Sequence, residues 1–127
     1  MIAGIGVDLA TVSRFTKVHA RFGNRLARRI LHANEMRAYE QHAHQDRFLA
    51  KRFAVKEAAV KALGTGERTG VLLRDFYLEH DELGKPLLRV SGVAQERCIA
   101  QQIDGFWISL SDEGDTVAAF VVLETRS

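Results

Sequence analysis

Arg52-Phe-Ala-Val-Lys56-Glu57-Ala-Ala-Val-Lys61-Ala-Leu-Gly64-Thr65-Gly66 decides how this chain of 127 residues is read. At roughly 100° per residue, Leu49, Phe53 and Val60 form one stripe, with Glu57 and Lys61 on its shoulder beside Ala50 and Ala54. The pattern predicts a helix from Asp46 to about Leu63, stopped by Gly64-Thr65-Gly66. A carboxylate and an ammonium one turn apart, just before a glycine-rich exit, suit a metal-bound pyrophosphate. The same spacing is also a plain helix-stabilising pair, contributing about 0.2 to 0.5 kcal/mol.

Upstream, Ile2 to Leu9 alternates Ile2, Gly4, Gly6 and Asp8 against Ala3, Ile5, Val7 and Leu9, which predicts a strand with one apolar side and one bare side ending at Asp8. The glycines leave room for a ligand or for another backbone, such as a crossing helix. Gly4-x-Gly6 lacks the third glycine of a dinucleotide-binding fingerprint. Ser13 is expected to cap a helix with Phe15, Val18 and Phe22 inward, closed by Gly23; Asn24, Asn34 and Asp46 are read as three further caps. Phe76–His80 and 87–90 read as strands around Asp81-Glu-Leu-Gly84-Lys85-Pro86, then a helix over 93–103. Asp104-Gly105 introduces a strand at 106–111, which Glu113-Gly114-Asp115 turns back into another at 116–124. The fold class is therefore α+β: an antiparallel-rich sheet with helices packed on one face, in one domain spanning 1–127.

Net charge is +2, yet residues 14 to 34 carry Arg14, Lys17, Arg21, Arg25, Arg28 and Arg29 with no Asp or Glu, so a basic face stands on a mildly acidic body. Such a face wants an anionic partner, and charge alone does not distinguish nucleic acid, lipid and acidic protein. No apolar run approaches the roughly 20 residues of a membrane span, and no signal segment is read at the N-terminus, so a cytoplasmic location is expected. Cys98, the one cysteine, reads as a semi-buried helix residue. His42 and His44 read as solvated, lacking further metal ligands.

Gly4-Ile-Gly6-Val-Asp8-Leu, the Arg52–Gly66 stretch, and Ser109-Leu-Ser111-Asp-Glu-Gly-Asp-Thr-Val-Ala-Ala together resemble the holo-acyl-carrier-protein synthases, the small 4'-phosphopantetheinyl transferase family, over essentially the whole chain. The resemblance implies the 4'-phosphopantetheinyl transferase-like fold and transfer of the 4'-phosphopantetheine arm of coenzyme A to a serine of apo-acyl-carrier protein in fatty acid biosynthesis, releasing adenosine 3',5'-bisphosphate. It implies Asp8 and Glu57 as ligands of Mg²⁺, a cation usually held by one or two carboxylates plus substrate phosphates, and Lys61 as the group that neutralises the departing phosphate. For the serine proton, a water on the metal and Glu57 itself both remain open. The resemblance also puts Arg52, Gly64 and the Gly84-Lys85-Pro86 turn near coenzyme A. Arg52 also reads as solvated helix surface, Gly64 as a C-cap and Pro86 as a strand entrance.

The same family implies docking of an acidic carrier on Arg14, Lys17, Arg21, Arg25 and Arg28, and a homotrimer with active sites at subunit boundaries. Ser111 is followed by Asp112 where many relatives have His, so that nucleotide contact is not carried over; Val60 stands where relatives offer a serine. A nucleic-acid-binding module would explain the basic face but not the acids, and no aromatic–basic binding signature appears, so no nucleic acid partner is expected. A silent scaffold that only binds carrier would have no use for Asp8, Glu57 and Lys61.

Overall fold

Alanine lets one helix sit at the centre of this molecule. Ala50, Ala54, Ala58 and Ala59 are sealed from solvent along α4 (Gln45–Leu63), and with no long side chains there, neighbouring elements approach from several directions. The computed structural model describes residues 1–64 and 69–126. Around α4 run β1 (Ile2–Thr11), α1 (Val12–Phe22), α2 (Asn24–Ile30), α3 (Ala33–Gln41), β2 (Phe76–His80), β3 (Pro86–Val90), α5 (Gly92–Ala100), β4 (Ile103–Glu113) and β5 (Thr116–Thr125). The architecture is α+β, with helix packed on one face of an antiparallel sheet of order β1-β5-β4; β2 and β3 pair separately as an antiparallel hairpin. One core lies between α4 and the larger sheet, including Val55, Ala58, Val117, Val121 and Leu123. A second joins α2, α3 and the start of α4 through Ile30, Leu31, Tyr39, Phe48 and Leu49.

The strand β1 faces the opposite way from what its hydrophobicity suggests. Gly6 is buried, whereas Ile5, Val7 and Leu9 are exposed, Leu9 at 68%. The reason is the helix: a β-carbon at Gly4 would stand 1.7 Å from the Ala62 carbonyl oxygen, and one at Gly6 would stand 1.9 Å from that of Ala58. The bare side thus receives a helix backbone, and the apolar side, continued through Phe120 opposite Val7 and Val122 between Ile5 and Trp107, is left uncovered.

Other local expectations also shift. The α1 cap is Thr11, one step outside the helix; Ser13 instead donates through N and Oγ to the Asp115 carboxylate at 2.9 and 2.6 Å, while Val12 N donates to Asp115 O at 2.8 Å. Gly23 closes α1 as expected and is also the cap of α2, so Asn24 is free to accept from the Tyr39 hydroxyl at 3.0 Å. His32, not Asn34, caps α3: its Nδ1 accepts from Asn34 N while Glu35 reaches back to His32 N. His44 is the boundary residue of α4, and Asp46 in its first turn accepts from Thr16, joining α1 to α4. Phe22, expected inward, lies outside the core at 42% exposed, with the guanidinia of Arg21 and Arg25 5.1 and 6.0 Å from its ring centroid. Helix α5 ends at Ala100, and Asp104-Gly105 lies inside β4 at a register irregularity rather than before the strand.

Candidate active site

Asp8 follows the two glycines on the helix-facing side of β1, and that placement brings it to α4. Lys61 Nζ donates to Asp8 Oδ1 at 2.9 Å and to Val7 O at 3.1 Å, so the ammonium spans from helix to strand. Asp8 is largely covered whereas Lys61 is half exposed, leaving the ammonium accessible to a further anion. Glu57, one turn earlier on α4, lines a groove of about 870 Å³ with Leu9 and Ala10, the residues that follow Asp8 on β1. Phe15, Val18, Phe53 and Val60 form much of its apolar wall, and Arg14, Arg29 and Arg74 add positive charge. Sequence-distant Asp8, Glu57 and Lys61 are thereby gathered on the β1–α4 junction.

Two carboxylates supply hard oxygen donors, which fit a Mg²⁺-type cation. Among the described residues no group of three or more His, Cys, Asp and Glu side chains is assembled for a metal. A protein-only cage is therefore not what this corner offers; its donors match a cation that shares its ligands with phosphate and water. His42 and His44 lie apart from it, with ring centroids 6.4 Å from one another and His44 N donating to His42 Nδ1.

Lys61 leads directly into Gly64, whose φ of +75° is the left-handed helix stop that glycine adopts without strain, with its N–H donating to Lys61 O at 3.1 Å. Thr65 and Gly66 lie outside the described residues. Gly84, at φ +85°, turns the β2–β3 hairpin, and Pro86 opens β3 opposite His80. No hydrogen bond or ion pair among the described residues joins Gly84 or Pro86 to Asp8 or Lys61. Arg14, Lys17, Arg21, Arg25 and Arg28 are exposed on α1 and α2, as a docking face requires.

Arg52 corrects the sequence reading. It is neither solvated nor aimed at the Asp8–Lys61 corner: Nη1 donates to Glu35 Oε2 at 2.6 Å and the guanidinium lies 4.4 Å from the Phe48 ring centroid. A nucleotide phosphate would have to compete with a buried carboxylate for it. Asp112 also finds its partners: Arg47 Nη1 donates to its Oδ2 at 2.8 Å, Lys51 Nζ stands 3.7 Å away, and Arg47 Nη2 donates to Gly114 O. These contacts tie the β4–β5 turn to α4.

Sequence reasoning missed Lys56 and Glu35. Lys56 is fully sealed, donating to Ile30 O at 2.7 Å and Glu35 Oε1 at 2.5 Å. Burial pushes its pKa down to about 8, with Glu35 opposing. The available signals were a lysine beside the apolar stripe of α4 and the His32-to-Glu35 capping-box spacing.

The chain matches the family model of the 4'-phosphopantetheinyl transferase superfamily over residues 4–121. It is 50% identical over 126 residues to a holo-[acyl-carrier-protein] synthase of Vibrio cholerae, covering 99% of this chain and 100% of that one. Its fold matches the crystal structure of the Neisseria meningitidis synthase with a TM-score of 0.91 at 42% identity, covering 98% and 100% of the two chains. A Bacillus anthracis synthase solved in complex with coenzyme A (3',5'-ADP) matches with a TM-score of 0.78 at 32% identity, covering 99% of each. The chain belongs to the 4'-phosphopantetheinyl transferase superfamily, within its holo-[acyl-carrier-protein] synthases.

Proposed function

We propose that this chain, as one domain over residues 1–127, transfers the 4'-phosphopantetheine group of coenzyme A to a serine of an acidic apo-acyl-carrier protein in fatty acid biosynthesis. The observation that carries the reading is the junction of Asp8 with Lys61 at 2.9 Å, with Glu57 one turn away on the same helix. Asp8 and Glu57 would hold Mg²⁺, which when bound supplies positive charge to the pyrophosphate oxygens. The carrier serine oxygen forms a bond to the β-phosphorus as the bond from that phosphorus to the bridging oxygen breaks. Adenosine 3',5'-bisphosphate leaves with the electron pair of the broken bond, and the half-exposed Lys61 ammonium stabilises the charge that develops there. The serine proton is lost as attack proceeds, and both Glu57 and water stand as acceptors for it.

Arg14, Lys17, Arg21, Arg25 and Arg28 would steer the acidic carrier to the groove that Arg14 also lines. Gly64, Gly84 and Pro86 are retained as coenzyme A contacts; Arg52 is not, given its bond to Glu35. A homotrimer is supported by the uncovered apolar sheet face, where Trp107 is 53% exposed beside Ile5, Val7 and Phe120. No helix among the described residues is long and apolar enough to cross a membrane, and a cytoplasmic location is part of the proposal.

Intact-protein mass spectrometry of an apo-acyl-carrier protein, incubated with this chain, coenzyme A and Mg²⁺, tests the reaction. A phosphopantetheine adduct that disappears with a chelator is expected. No adduct on several folded apo carriers would overturn the assignment.

A further inference from the structure

Helix α4 is held on two sides. Ala58 and Ala62 meet the backbone of β1 at Gly6 and Gly4, with no side chain on the strand to adjust. Roughly 120° around the helix axis, at 100° per residue, stand Arg52 and Lys56, both bonded to the buried Glu35 carboxylate. Glu35 also accepts from His32 N at 3.0 Å and Leu78 N at 3.1 Å, and Lys56 donates to Ile30 O. This one carboxylate thus connects α3, α4 and β2, while its lysine adds the end of α2. Glu57 and Lys61 project from the remaining side of α4, on the wider arc between the two contacts.

We infer that Glu35, acting through Lys56 and Arg52, is a positioning residue that fixes the rotation of α4 and so holds Glu57 and Lys61 in register with Asp8. The glycine contact sets how closely helix and strand approach; the Glu35 contact sets which way the helix faces. A side-chain tip about 5.5 Å from a helix axis moves about 1 Å for each ~10° of rotation. Displacement of that size at a reacting centre costs roughly 10²-fold in rate. Apolar packing of α4 alone is less directional, because alanines tolerate small rotations that charged hydrogen bonds oppose.

The inference rests on the transferase reading, and the experiment separates the two. Wild type is first assayed for phosphopantetheine transfer, and a negative result there defeats the assignment itself. The test variant is Glu35→Gln with Lys56→Met, which removes the carboxylate together with the fully sealed ammonium and keeps an amide oxygen to accept from Arg52 at the edge of the cluster. Glu35→Asp, which keeps the charge and shortens its reach, carries the test if circular dichroism finds the double variant unfolded. In folded variant protein, kcat is expected to fall at least about tenfold with KM for the carrier unchanged. Binding of Mn²⁺ in the presence of adenosine 3',5'-bisphosphate, read by calorimetry without turnover, is expected to weaken in parallel. A merely structural role would lower the melting temperature and leave both readouts alone. Folded variants with kcat and Mn²⁺ affinity within about twofold of wild type would overturn the inference.

Discussion

Gly6→Ala isolates the close approach of β1 and α4 better than any other single change. The added methyl would lie 1.9 Å from the Ala58 carbonyl oxygen, whereas ordinary contact starts at 3.4 Å, so strand and helix must separate by about 1.5 Å. Replacing glycine by alanine in compatible backbone stabilises by about 0.4 to 1 kcal/mol through the unfolded chain. Overpacking a core costs about 1 to 3 kcal/mol and sometimes more. Here the obstacle is helix backbone, which has no rotamer to change, and a radial gap of 0.5 to 1 Å already forfeits roughly a quarter to a half of the dispersion energy of the surfaces that part. The clash wins, and a net loss of about 3 kcal/mol is expected, with a fall in Tm of roughly 10 °C. Asp8 would retreat from Lys61 at the same time, so transfer by the folded fraction should drop about 10²-fold. Thermal melts by circular dichroism and transfer rates measured well below the variant's Tm read the two effects separately. A Gly6→Ala protein with Tm within about 2 °C of wild type and an unchanged rate would refute the backbone-contact argument.

Lys61→Ala and Glu57→Gln should each lower kcat by about 10² to 10³-fold while the melting curve stays close to wild type, in single-turnover transfer assays. Reversing Arg14, Arg21 or Arg25 to Glu should raise KM for the carrier with kcat little changed, and the difference should shrink as salt rises, since exposed charges act mainly on association. Asp115→Ala removes acceptors from Ser13 N and Oγ at the start of α1 and should cost about 1 to 2 kcal/mol in urea unfolding; no measurable loss would remove the β4–β5 turn as an anchor of that helix. Burial would raise the Glu35 pKa, but Lys56 and Arg52 outweigh it and hold the carboxyl below its ordinary 4.5. Its contribution to stability is therefore complete above pH 4.5 and is lost as pH falls through the folded value, because the unfolded chain takes up the proton first. Unfolding free energy measured against pH should decline more steeply below 4.5 in wild type than in the Glu35→Gln, Lys56→Met variant.

Periodicity located α4 to within a residue at its start and at its stated end, and the β2–β3 and β4–β5 hairpins were legible from their turn residues. Asp8, Glu57 and Lys61 were nominated by motif, and the fold brings them to one junction through contacts more than fifty residues apart in sequence, such as Lys61 with Asp8. What could not be read was orientation. Ile5, Val7 and Leu9 look like a core-facing side, yet the glycine side is the one that admits a helix, and Phe22 lies beside arginines outside the core. Hydrophobic alternation reports that two faces differ; it does not say which neighbour each face receives. The Arg52 and Lys56 bonds to Glu35 depend on how α3 folds back against α4, information carried by no local window. Asp112 presented the same difficulty, since its charge was visible and its partners Arg47 and Lys51, on α4, were not.

The contact of Gly4 and Gly6 with Ala62 and Ala58 also bears on how this protein can vary. Where two side chains interlock, a loss on one surface is offset by growth on the other, and a lineage can drift through compensating pairs. Two backbones in direct contact offer no such exchange: neither glycine has anything to give up, and enlarging either alanine has nothing to enter. In a saturation mutagenesis selection these four positions should therefore be nearly as intolerant as Asp8 or Lys61, although none carries a reactive group. Intolerance to substitution would then mark the scaffold and the chemistry alike, and only a folding readout beside the activity readout would tell them apart.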